Sequence, residues 1–100
     1  MKLVLSVTIL GLVLAGSALA DGKAVYDAHC KNCHGADGAG NPAIAKMLKV
    51  TLKPLSSKDL QSKSDADLKK DIAAGTGKMK PVKLSDADAT AVVGYLRTLK

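Results

Sequence analysis

The 100-residue chain contains no phenylalanine, no tryptophan and no glutamate. Tyrosine occurs only at Tyr26 and Tyr95, and cysteine only at Cys30 and Cys33. Each shortage excludes something. Two aromatic rings cannot form a row of platforms on which nucleic-acid bases stack, so nucleic acid is not expected as a partner. A disulfide between Cys30 and Cys33 would close a tiny loop, and the entropy a bridge takes from the unfolded chain falls with loop size. It would staple almost nothing. A zinc site needs about four ligands, and the chain has no second C-x-x-C and no distal histidine pair. A thioredoxin-like redox pair needs a preceding strand and a βαβ pattern, and no strong strand run appears after position 20.

What is present starts with Met1 and Lys2, an apolar run from Leu3 to Leu14, and the small-residue stretch Ala15 to Ala20. One positive charge, an apolar core and an A-x-A-like end are the layout of a secretory signal peptide. Cleavage after Ala20 is expected, leaving a domain of residues 21–100. The alternative is an uncleaved membrane anchor, but the apolar run is short for a span of about 20 residues. Fourteen of the 47 apolar residues lie in positions 1–20, which leaves 33 for the other 80. That core is thin. Domains below roughly 70 to 80 residues usually add a disulfide, a metal or another crosslink.

The stretch Cys30-Lys31-Asn32-Cys33-His34 offers such a filler. C-x-x-C-H is the attachment pattern of a c-type haem: two thiols add across the vinyl groups, and the adjoining imidazole reaches the iron from the same side. This reading uses all three residues at once. It also agrees with export and with the missing core.

Further segments extend the pattern: GKAVYDAHCKNCHG at 22–35, GAGNP at 38–42, IAAGTGKMKP at 72–81 and VVGYLRTLK at 92–100. By their order and spacing, residues 21–100 resemble a small bacterial class I c-type cytochrome. The resemblance implies an all-α, cytochrome c-like fold of three to five short helices around one covalently attached haem c. It implies that the first and last helices cross, with Gly22 facing Tyr95 and Tyr26 in the core. It also implies that the Pro42 carbonyl accepts from the second nitrogen of His34, fixing the ring. The plainer role for Pro42 is to stiffen the turn or to begin a short helix.

Local patterns supply the elements. A helix is expected from Gly22 to about Asn32, with Asp21 as N-cap and Ala24, Val25 and Ala28 on its apolar side. The glycines and proline of 35–42 make a loop. A short helix is expected within 43–52, with Ile44, Met47 and Leu48 on one face, and 54–64 reads as loop with one turn of helix at most. Ser64 caps a helix carrying Leu68, Ile72 and Ala73 and ended by Gly75. Ser85 caps the last one, where Ala89, Val92, Val93 and Leu96 form the apolar stripe and Arg97 and Lys100 close the final turn.

The opposite face of the iron has three candidate ligands. His29 adjoins Cys30 and so lies on the attachment side. Met47 falls on an apolar helical face, where a thioether is usually gap-filling core. Met79 sits in the glycine-broken stretch GTGKMKP and matches the ligand methionine of the family, so His34 and Met79 are the expected metal ligands. One departure is Lys80, which separates Met79 from Pro81 where many relatives place proline directly after methionine. With both positions filled the iron has no open site, which points to a periplasmic electron carrier rather than an enzyme. The alternative is a haem enzyme or sensor with a labile sixth ligand that binds peroxide, nitric oxide or carbon monoxide; no obvious distal His/Arg pair favours it.

Without Lys2, 14 basic residues face nine acidic ones, all Asp, for a formal charge of +5. Lys78, Lys80 and Lys83 bracket the proposed ligand loop, and Lys46, Lys49 and Lys53 recur upstream. Such a rim would steer the protein to acidic-surfaced redox partners, such as a dehydrogenase, reductase or oxidase complex. Plain solvation of a small exported protein is the competing account. A monomer or small subunit of a redox complex is expected, with no stable membrane insertion after leader cleavage.

Overall fold

In the computed structural model, residues 13–100 are described in backbone and residues 21–100 in side chains. All regular elements among them are helical: α1 (Val13–His29), α2 (Lys31–His34), α3 (Pro42–Leu48), α4 (Lys58–Gln61), α5 (Asp65–Ala74) and α6 (Asp86–Leu96), closed by a 3₁₀ turn at Arg97–Leu99. The all-α expectation holds. The helix count exceeds five because α2 and α4 are single turns of four residues each. No helix among the described residues is long and apolar enough to cross a membrane.

Three starts follow one rule. The side-chain oxygens of Ser57, Ser64 and Ser85 accept from the backbone N–H groups of Leu60, Asp67 and Asp88, satisfying donors that a first turn leaves free. Asp21 behaves otherwise. It lies inside α1, which in the uncleaved chain runs unbroken from Val13, so Asp21 starts no helix there. Most of the expected leader, residues 1–12, lies outside the described residues.

α1 packs on α6, and α5 packs on α6 beside it. Gly22 permits the first crossing, since a Cβ there would run into the Ala91 carbonyl and press on Tyr95 Cβ. The two backbones can therefore touch. One turn later Tyr26 is fully buried, with its ring centroid 5.3 Å from that of Tyr95. The buried line of α1 is thus Gly22 and Tyr26, one turn apart. Ala24 and Ala28 are exposed and Val25 is half-buried, so the expected apolar side is not the inner one; the alanine methyls are small enough to stand in solvent. Seven apolar residues make the core: Tyr26, Leu55, Leu68, Ile72, Val92, Val93 and Leu96. None comes from α2 or α3.

Candidate haem attachment and iron-ligand site

α1 stops at His29, and a single turn begins at once on Cys30. Cys33 and His34 both donate their N–H to the Cys30 carbonyl, at 3.3 and 3.0 Å, and Gly35 donates to Lys31 at 2.8 Å. In a helical turn, residues at i, i+3 and i+4 share a face. The spacing therefore puts Cys30, Cys33 and His34 on one side, while Lys31 and Asn32 face solvent. Both thiols are half-buried and not bridged to each other. Burial, aided by the neighbouring Cys33, pushes the Cys30 thiol up to about 11. Burial likewise lowers the affinity of His34 for a proton, favouring the neutral imidazole that a metal requires.

The following loop wraps back and captures the carbonyls of this turn. Gly40 N–H donates to His34 O at 2.7 Å, Asn41 N–H to Cys33 O at 2.9 Å, and the Tyr26 hydroxyl to Gly35 O at 2.5 Å. The Asn41 side chain bridges both ways, its Nδ2 donating to Asn32 O at 2.9 Å and its Oδ1 accepting from Ala43 N–H at 3.0 Å. Asn41 thereby locks α3 to the motif. Sequence reading passed over it, although an Asn before a Pro that opens a helix is a capping signal.

His34 Nδ1 is buried and makes no hydrogen bond. The bond to the Pro42 carbonyl that the resemblance implies is therefore not formed in this structure. Pro42 is exposed and occupies the first turn of α3, the plainer of its two roles. α3 ends at Leu48 because Lys49 turns left-handed at φ 57° and Val50 N–H bonds back to Ala45 O at 3.0 Å.

Met79 lies between α5 and α6. Val82 N–H donates to Ile72 O at 2.9 Å, and Thr76 and Met79 exchange backbone bonds at 3.1 and 2.9 Å, which folds 76–79 into a tight hairpin-like turn. Met79 is half-buried against the core, whereas Met47 is 68% exposed. His29 is exposed.

These features fit a covalently held haem. Two unbridged thiols and an imidazole share one face, and α2 and α3 bury no side chain against the protein. An imidazole beside two thiols is a donor set that suits the iron of an attached haem.

Comparison with known proteins agrees. A family model described as cytochrome c matches residues 19–100. A solved structure, the c-type cytochrome KustC0563, is similar at a TM-score of 0.68 and 31% identity, over 80% of this chain and 98% of that one. No curated protein matches.

Proposed function

The chain belongs to the cytochrome c family, and on that premise we propose that it is an exported one-electron carrier whose haem iron is held between His34 and Met79. Covalent haem c on Cys30 and Cys33, and electron transfer as its use, follow from the family itself. When bound, the haem supplies a reversible one-electron iron couple. The chain's residues have three tasks. Cys30 and Cys33 fix the group, His34 presents a neutral imidazole from a turn whose carbonyls are already occupied, and Met79 supplies the second ligand.

The observation that carries this reading is the contrast between the two methionines. Met79 is half-buried beside the core in a loop hydrogen-bonded at its base, while Met47 is 68% exposed on α3 and packs against no core residue. Export to the periplasm after cleavage at Ala20 belongs to the same proposal and rests on the leader pattern. So does docking on an acidic redox partner: Lys46, Lys49, Lys78, Lys80 and Lys83 form no ion pair among the described residues, whereas Lys23, Lys53, Lys63 and Lys69 do. Lys53 pairs with Asp59 at 2.8 Å, both side chains remaining exposed.

Near-infrared absorption of the oxidised holoprotein tests the ligand set. Wild type and Met47→Ala are expected to show the weak iron-to-methionine band and to resist carbon monoxide when reduced, and Met79→Ala to lose the band and bind the gas. A wild type without the band that binds carbon monoxide readily would favour an open iron and ligand chemistry instead.

A further inference from the structure

We propose that Gly75 is a positioning residue for the Met79 ligand, an inference that rests on the His34/Met79 reading. Gly75 follows Ala74 at the end of α5 with φ 78° and ψ 166°, a conformation that a residue with a Cβ rarely adopts. The chain then runs out through Thr76, Gly77 and Lys78 and folds back on itself. The returning segment lies directly on Gly75: a Cβ there would stand 2.6 Å from Met79 O, 2.9 Å from Pro81 N and 3.0 Å from Pro81 Cδ.

The nearest of these atoms belong to the backbone, so no rotamer change can make room for a methyl. The segment carrying Met79 would have to move. Both feet of the loop are fixed, by Gly75 N–H to Asp71 O at 2.8 Å and Val82 N–H to Ile72 O at 2.9 Å. Displacement therefore concentrates between them, where Met79 sits. A ligand site that is about 1 Å too loose loses its function although every residue remains. Gly94, with no atom within 4 Å of an added Cβ, has no such constraint. In the sequence Gly75 looks only like a helix stop; its second role appears when the loop is seen lying on it.

The test compares holoprotein of wild type, Gly75→Ala, Gly94→Ala and Met79→Ala by near-infrared absorption, carbon monoxide binding, reduction potential and far-ultraviolet circular dichroism. Gly75→Ala is expected to lose the iron-to-methionine band, to bind carbon monoxide as Met79→Ala does and to show a lowered potential, with unchanged helix content and haem still attached. Gly94→Ala should match wild type. Gly75→Ala with the band and potential of wild type would overturn the positioning role and leave Met79 as ligand. A wild type without the band, or Met79→Ala with it, would remove the ligand reading and this inference with it.

Should Gly75→Ala yield no folded holoprotein, the same change is made in the Met79→Ala background with imidazole added to fill the sixth position. There the loop is free of the iron and can relax away from the methyl. A stable low-spin imidazole adduct supports the positioning role, and failure to fold there as well overturns it, because Gly75 would then serve the fold at large.

Discussion

Tyr26 shows how one side chain ties the core to the attachment turn. Its ring is fully buried between α1 and α6, and its hydroxyl donates to the carbonyl of Gly35, the residue after His34. Core packing alone accounts for the ring and not for the hydroxyl. Tyr26→Phe keeps the ring and is expected to cost about 1 kcal/mol, since Gly35 O retains the Gly38 N–H at 3.3 Å. Burial holds the hydroxyl proton up to about 12, against 10.0 for a free tyrosine. The folded state thus favours the neutral phenol, so this contribution is full below pH 10.0 and is lost as pH rises toward about 12. Denaturant melts across that window should show the wild-type advantage over Tyr26→Phe narrowing; a constant gap would refute the assignment. His34 was legible from its motif. Asn41 was not, because its importance lies in which two segments it joins.

The helices owe their starts to local chemistry and their arrangement to a few ties. Ser64 and Ser85 are recognisable as caps from the residues around them, and both accept the expected N–H. The tie at the other end has no such local mark. Arg97, foreseen only as a charge complementing the end of α6, reaches across to the segment before α5, donating to Gln61 O at 3.0 Å, to Lys63 O at 2.7 Å and to Asp65 Oδ1 at 2.7 Å. Gln61 answers by donating to Leu55 O and Leu96 O, each at 3.0 Å. This clasp holds α4 and the start of α5 against the end of α6. Arg97→Ala is expected to cost about 1–2 kcal/mol, because charge-assisted bonds to carbonyls are lost. Asp65→Asn should cost about 0.5 kcal/mol, since the Asp65 side chain is 71% exposed and the pair is screened. Chemical denaturation of both variants checks the order; equal losses would mean that the ion pair, not the carbonyls, fastens the elements.

At the scale of the molecule, a surplus of cations meets a small core. Four lysines are matched by aspartates at 2.6 to 3.3 Å, while those on α3 and around Met79 have no such partner among the described residues. If that surplus steers encounter, electron transfer with an acidic-surfaced partner should slow as ionic strength rises past about 0.1 M, where the Debye length is about 10 Å. Lys78→Gln with Lys80→Gln should lower the low-salt rate and flatten the salt dependence; a wild-type rate indifferent to salt would end the steering account. The sequence by itself determined the chemistry: C-x-x-C-H places two thiols and an imidazole on one face of any helical turn, and serine caps with periodic apolar residues define α5 and α6 locally. It also determined that side chains alone would leave the middle thin. Tertiary structure decided what depends on contacts distant along the chain. It set Leu55 in the core, made Gly22 and Tyr26 rather than the alanines the inner line of α1, paired Lys53 with Asp59, and laid the Met79 segment on Gly75. A pattern with a period can be read along the chain because it repeats within one element, whereas each of these contacts exists only once two elements meet.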